Sequence, residues 1–154
     1  MDARFINPFI NALVSVLTMM AQLEPVVGKP KLKEDNLAPG AVTGIIDLEG
    51  KQTTGSVAVS FSKSVALDLT NRMLRMELTE IDDQVKDMVG EMANMVAGGA
   101  KREMEENGFD FKLTLPTVLS GAGHEINHRV NGPKIILPFK VDSGNFYIEI
   151  CFHK

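Results

Sequence analysis

The sequence contains a single cysteine and no tryptophan, and these absences already exclude several kinds of protein. A lone thiol, Cys151, cannot form an internal disulfide, and no Cys/His group has zinc-finger spacing, so we expect a reducing, cytoplasmic setting. Acidic residues outnumber basic ones, since the sequence contains 20 Asp and Glu and 16 Lys and Arg. A chain with this balance is not expected to bind nucleic acid or an anionic membrane as its main partner.

The sequence also lacks the uninterrupted run of about 18 apolar residues that predicts a membrane span. Asn7 and Asn11 interrupt the apolar N-terminus, and no small-residue cleavage site follows it, so it is not typical of an export signal. Its apolar residues from Phe5 to Met20 recur at three- and four-residue steps, which predicts an amphipathic first helix. Because 44% of the residues are hydrophobic, we expect one domain over residues 1–154 with a core of its own.

Strand and helix patterns follow one another in an order typical of an α+β fold. The sequence predicts an edge strand over 26–33, a hairpin over 42–48 and 56–62, a helix over 62–75, strand-like runs over 109–116 and 124–130, and a closing hairpin over 134–141 and 145–152. This order predicts an antiparallel sheet with a long helix and further helices packed on one face. A helix followed by about three strands occurs twice, over 5–62 and 79–153, which suggests an internal pseudo-repeat.

The longest helical pattern begins at Thr79, predicted as its N-cap, and stops at Asn107 and Gly108. Its apolar positions fall within one stripe, which we expect to be buried against the sheet. The residues of that stripe are Ile81, Val85, Met88, Met92, Val96 and Gly99.

A different face of this helix brings Asp87, Glu91, Asn94 and Gly98 together. Glu91 and Asn94 are spaced i, i+3, so a carboxylate and a carboxamide project side by side, about 60° apart. The absent side chain at Gly98 would let another protein approach, at a cost of about 1 kcal/mol in helix stability relative to Ala. The same features also fit a solvated helix face and tight helix packing at Gly98-Gly99, because a chain of this composition contains about 0.6 Glu-x-x-Asn pairs by chance.

His124, Glu125 and His128 match the H-E-x-x-H pattern of zinc proteases. That pattern needs a helix, where residues i and i+4 reach one metal ion. Nearby glycines at 121, 123 and 132 favour a strand or loop instead, and in a strand the two histidines would lie about 13 Å apart. We therefore interpret the segment as a surface strand that carries two histidines and disfavour a metalloprotease.

Four segments carry a resemblance to a known family, and they occur in the right order over nearly the whole chain. They are FINPFINA, VKDMVGEMANMVAGGAKREME, LPTVLSGAGHEINH and FYIEICF. Together they resemble the CheX group of the CheC/CheX/FliY chemotaxis phosphatases. The family pattern is an Asp or Ser, a Glu four residues on, an Asn three further and a Pro a little over twenty residues later, which Asp87, Glu91, Asn94 and Pro116 match.

This resemblance implies a CheC/CheX-like α+β fold and, for CheX-like members, a homodimer joined through sheet edges. It also implies an enzyme that removes the phosphoryl group from the aspartate of a CheY-like response regulator. By family analogy Asn94 would orient the attacking water and Glu91 would bind the regulator's active-site lysine. Asp87 and Gly98 would belong to the docking surface, although Asp87 fits an ordinary exposed helix acid equally well. The Mg²⁺ would belong to the receiver domain, so this chain is expected to bind no metal or cofactor.

Two other functions compete with the phosphatase. A non-catalytic receiver-binding or dimerisation module would not need the intact pair of Glu91 and Asn94, and a motor-switch scaffold would need a further interaction domain. The sequence contains one Glu-x-x-Asn, and neither Asn7 nor Asn11 follows a Glu at that spacing. We therefore expect one site per subunit.

Overall fold

The computed structural model describes residues 3–153, in which the hydrophobic patterns form three α-helices and eight strands. The helices are α1 (Ala3–Val16), which continues into a π-helical turn at Leu17–Ala21, α2 (Lys63–Leu74) and α3 (Asp83–Glu106). The strands are β1 (Val26–Val27), β2 (Lys31–Lys33), β3 (Val42–Gly50), β4 (Thr54–Phe61), β5 (Phe111–Leu113), β6 (Thr117–Ser120), β7 (Lys134–Val141) and β8 (Gly144–Phe152). Every strand pairing is antiparallel, which confirms the predicted fold class.

Two long hairpins form the centre of the sheet. Strands β3 and β4 make one, β7 and β8 make the other, and they join where β4 pairs with β8. The strand order is β1-β7-β8-β4-β3-β5, with β2 also on β7 and β6 also on β3. Each hairpin therefore receives its short outer strands from the other half of the chain. This arrangement agrees with the pseudo-repeat over 5–62 and 79–153, which stays a prediction.

The helices cover one side of the sheet, and the main hydrophobic core lies between the two layers. Phe9, Leu13 and Leu17 are fully buried in that core, so α1 is the amphipathic helix that the sequence predicts. Met20 differs from the prediction, because it lies in the π-helical turn and is 50% exposed. Within residues 3–153, Ala3–Ala21 is the one helical stretch long and apolar enough to cross a membrane, by length and composition alone.

The opposite side of the sheet is covered by residues 121–133, which we call the strap. Ile126 of the strap is fully buried, and its N–H donates to the carbonyl of Asn36 at 2.7 Å. His124 and His128 point toward the sheet, and apart from a single bridge between Glu125 and Leu37 the strap forms no strand. The prediction of a surface strand over 124–130 was wrong, because the segment forms no strand ladder and its two histidines hydrogen bond to buried residues of the sheet.

Two further boundaries differ from the sequence prediction. The N-cap of α3 is Asp82 and not Thr79, because the Asp82 carboxylate accepts hydrogen bonds from the backbone N–H groups of Gln84 and Val85. Strand β6 follows the predicted strand-like run over 109–116 and was not itself predicted, and its four residues form a strand because they pair with β3. The predicted C-terminal end of α3 at Asn107 is confirmed.

Candidate functional site

Two glycines let α3 pack closely on its neighbours. A Cβ on Gly44 of β3 would lie 3.1 Å from the Ala93 Cβ and 3.1 Å from the Val89 carbonyl oxygen, so the helix rests directly on the sheet. A Cβ on Gly99 would lie 2.9 Å from the Ala12 Cβ, so α1 packs against α3 at that point. The sheet and α1 thus fix two sides of α3 and leave a third side for solvent.

The buried side of α3 is broader than the predicted stripe. Val85, Met92 and Val96 are buried as predicted, whereas Met88 and Gly99 are only partly buried and Ile81 precedes the helix. Buried residues that the stripe did not include are Val89, Gly90, Ala93, Ala97, Ala100 and Met104. The buried surface of α3 is wider than the predicted stripe because the helix contacts both the sheet and α1.

The exposed side of α3 carries Asp87, Glu91, Asn94 and Gly98, which we call the strip. Asp87 and Glu91 are exposed, and Asn94 and Gly98 are partly exposed. A Cβ at Gly98 would have no atom within 4 Å, so the absent side chain leaves open space. Within the described residues, Asp87, Glu91 and Asn94 make no side-chain hydrogen bond or ion pair. Their polar groups therefore face outward without an internal structural role.

Pro116 lies beside the strip, in the turn between β5 and β6. A Cβ on Gly90 would lie 3.7 Å from the Pro116 Cγ and 3.3 Å from the Val118 Cγ2, so this turn reaches α3 where the helix has no side chain. Leu115, the residue before, is 87% exposed. The fold thus brings Pro116, which is far from the strip in sequence, next to the helical turn that carries Glu91.

The histidines of the H-E-x-x-H pattern do not converge on one point. His124 Nε2 lies 2.7 Å from the Thr43 Oγ1, whereas His128 hydrogen bonds to Ser56 and Glu149. Among residues 3–153, no group of three or more His, Cys, Asp or Glu is placed to hold a metal ion. The structure therefore gives the motif a role in fixing the strap and does not support the metalloprotease alternative.

The first helix does not offer a second strip of the same kind. The Asn11 side chain donates to the Glu103 Oε1 at 2.9 Å, so it ties α1 to α3. Asn7 is exposed, but no Glu stands three residues before it. The exposed carboxylate and carboxamide at i, i+3 are therefore found together on α3.

The chain is similar to known chemotaxis proteins in both sequence and fold. The family model described as chemotaxis phosphatase CheX matches residues 42–140. The CheY-P phosphatase CheX of Thermotoga maritima is 31% identical over 144 residues, which cover 93% of this chain and 91% of that protein. The crystal structure of the chemotaxis protein CheX from Vibrio vulnificus has a TM-score of 0.90 and 46% identity, covering 97% of this chain and 99% of that one. The CheX–CheY–BeF3–Mg²⁺ complex from Borrelia burgdorferi matches with a TM-score of 0.82 and 27% identity, covering 97% and 98%.

The antiparallel sheet with helices on one face is the fold of the CheC-like class of chemotaxis proteins. Within that class the match is more specific, because the family model spans more than half of the chain and the relatives are covered almost completely. The chain belongs to the CheX family of chemotaxis phosphatases.

Proposed function

We propose that this protein hydrolyses the aspartyl phosphate of a CheY-like response regulator. The observation that carries the proposal is the outward-facing pair of Glu91 and Asn94, which no contact within the described residues occupies. Two relatives support the choice of substrate, since one is named a CheY-P phosphatase and another was crystallised in complex with CheY. A cytoplasmic location follows from such a substrate and is part of the proposal.

In the proposed reaction Asn94 acts on water and not on phosphorus. A water molecule attacks the phosphorus atom, the bond between phosphorus and the aspartate oxygen breaks, and the aspartate leaves as a carboxylate. Placing the water in line with that bond is the main task, and the Asn94 amide can accept one hydrogen bond from the water while donating another. No nucleophile or covalent intermediate on this chain is required.

Glu91 supplies the complementary docking contact. Its carboxylate would pair with the active-site lysine of the receiver, which fixes the position of Asn94 relative to the phosphoryl group. Asp87 lies one turn before Glu91 on the strip, and Gly98 leaves room one turn after Asn94, so both belong to the proposed docking surface. The Mg²⁺ of the reaction would be bound by the receiver, and this chain would hold no cofactor.

The test follows phosphate release from a phosphorylated receiver of the same organism with substoichiometric amounts of this protein, so that each molecule of a phosphatase must turn over several times. We expect wild type to accelerate phosphate release and Asn94→Ala to lose the acceleration by about a hundredfold or more, since positioning residues typically contribute that much. Asn7→Ala is the matched control, because Asn7 is also an exposed helical asparagine, and it should behave as wild type.

Each other outcome has a clear meaning. Equal activity of Asn94→Ala and wild type would remove Asn94 from the mechanism. If both proteins bind the phosphorylated receiver but neither accelerates its decay, the non-catalytic binding module replaces the phosphatase. Loss of activity in Asn7→Ala would contradict the expectation of one site per subunit.

A further inference from the structure

The side of the sheet away from the helices contains a buried charged cluster that the proposed reaction does not use. Glu149, on the central strand β8, accepts a hydrogen bond from the Lys33 Nζ at 2.9 Å through its Oε2. Its Oε1 lies 3.1 Å from the His128 Nε2, and the His128 Nδ1 lies 2.8 Å from the Ser56 Oγ. The side chains of Lys33, His128 and Glu149 are only 8%, 3% and 2% exposed.

The cluster is balanced in charge and in hydrogen bonds. Lys33 neutralises Glu149, and a His128 with its proton on Nε2 donates to Glu149 while accepting from the Ser56 hydroxyl. Burial opposes ionisation of Glu149, but the hydrogen bonds from His128 and Lys33 outweigh it and lower the pKa of Glu149 below its ordinary value. Removing either Lys33 or Glu149 would leave the other as a buried charge without its partner, which is strongly unfavourable.

The three charged or titratable members come from three different parts of the chain. Lys33 is on β2, a three-residue edge strand, and His128 is on the strap, whereas Glu149 is at the centre of the sheet. Immediately after His128, the strap covers Cys151, whose thiol contacts the carbonyl oxygens of Val130 and Gly132 at 3.7 and 3.5 Å. The cluster thus lies where the strap and β2 meet the central strand.

The helix side of the sheet does not depend on these contacts. The side chains of β8 alternate, so Phe146, Ile148 and Ile150 point into the main core while Glu149 and Cys151 point to the opposite side. The strip on α3 lies on the helix layer. Opening the strap would therefore leave both the core and the strip in place.

We propose that Lys33, Glu149 and His128 form a latch that keeps residues 128–132 closed over the sheet, and that neutralising Glu149 opens this segment while the helix layer stays folded. The latch is a conformational device and does not rest on the proposed phosphatase activity.

Cys151 provides a native probe of opening, because it is the only cysteine of the chain and is 1% exposed. The experiment measures the labelling rate of this thiol by an aromatic disulfide at neutral pH, in the full chain. We expect Glu149→Gln and Lys33→Met each to label about tenfold faster than wild type or more, as local opening predicts. The two variants change the local charge in opposite directions, so a shared acceleration cannot arise from a direct effect on thiol ionisation.

Lys63→Met is the matched control. Lys63 also pairs with a glutamate, Glu80, at 2.9 Å, but in that pair the side chains are 50% and 78% exposed. This variant should label within about twofold of wild type, since an exposed pair contributes little. Hydrogen exchange at the amide of Val96 in α3 should stay slow in all three variants.

Acid provides an independent test in the unmodified protein. Because the folded pKa of Glu149 is lowered, its stabilising contribution is complete above its ordinary pKa of 4.5 and is lost as the pH falls through the folded value. The other charged or titratable groups around the cluster are Asp35, 4.0 Å from the Lys33 Nζ, Tyr147 and Cys151 on β8 itself, and Lys134 on the neighbouring β7. With a reagent that reacts in acid, labelling of wild type should rise below pH 4.5 toward that of Glu149→Gln, which should itself respond little.

Two results would overturn the proposal. Labelling of Glu149→Gln and Lys33→Met at the wild-type rate would mean that the cluster does not control the strap. Faster labelling accompanied by fast exchange at Val96 would mean that the whole protein unfolds and that no separate latch exists.

Discussion

Glu91 lies one helical turn before Asn94 and is the more exposed of the two residues. If Glu91 serves docking and Asn94 serves chemistry, Glu91→Gln should raise the half-saturating concentration of phosphorylated receiver by about tenfold, since a hydrogen bond to a charged group contributes about 1.5–3 kcal/mol. The maximal rate should stay within about twofold, because the water-positioning amide is intact. Steady-state kinetics over a range of receiver concentrations separates the two parameters.

Glu106→Gln is the control for that substitution, because Glu106 is also exposed on α3 but lies at its last residue, away from the strip. It should leave both kinetic parameters unchanged. A drop in the maximal rate of Glu91→Gln with an unchanged half-saturating concentration would place Glu91 in the chemical step and contradict its assignment to docking.

Gly98 and Gly99 are adjacent in sequence but have different surroundings. Gly98→Ala should stabilise the protein by about 1 kcal/mol, because the new methyl group enters open space and alanine favours the helix. Gly99→Ala should destabilise it by about 1–3 kcal/mol, since its Cβ would lie 2.9 Å from the Ala12 Cβ and would overpack the contact with α1. Urea unfolding of the two variants measures both effects. A stabilising Gly99→Ala would show that α1 and α3 do not pack closely at this point.

At the scale of elements, local patterns predicted those parts of the fold that depend on neighbours in sequence. The 3.6-residue repeat placed α3 and put Glu91 and Asn94 on its outer face, and alternation placed the two central hairpins. The helical pattern alone did not distinguish a functional pair from an ordinary solvated helix face, and the family resemblance was needed to favour the functional interpretation. The roles of Glu91 and Asn94 stay predictions.

The strap shows why the remaining parts of the fold could not be predicted from local sequence patterns. Its sequence has no repeat of its own, and its path is set by bonds to distant residues, such as the contact of His128 with Ser56. The sequence alone does not reveal the hydrogen-bond partners of the two histidines, because those partners are on strands that are distant in the chain. A loop fixed by long-range polar contacts leaves no local signal, so a metal-binding pattern and a structural one look alike.

At the scale of the whole molecule, the strip and the strap lie on opposite sides of the sheet, the β5–β6 edge adjoins the strip, and the β1–β2 edge adjoins the strap. The strip faces outward from the helix layer, and the strap covers the opposite side of the sheet. One edge is formed by β1 and β2 on β7, and the other by β5 and β6 on β3. A second copy of the chain that pairs at the β1–β2 edge would therefore leave Asn94 uncovered, so that each subunit of such a dimer would keep its own site.

The edge formed by β1 and β2 is the better candidate for the homodimer that the family resemblance implies. Val26 and Leu32 there are each 69% exposed, and an open strand edge with apolar side chains is prone to pair with another chain. We expect Leu32→Lys to raise the dimer dissociation constant by about tenfold or more, because a charge opposes edge pairing. Analytical ultracentrifugation over a range of concentrations measures it, with Thr117→Lys on β6 as the control at the other edge. Dissociation by Thr117→Lys alone would assign the interface to β5 and β6, and a wild type that stays monomeric throughout would refute the homodimer.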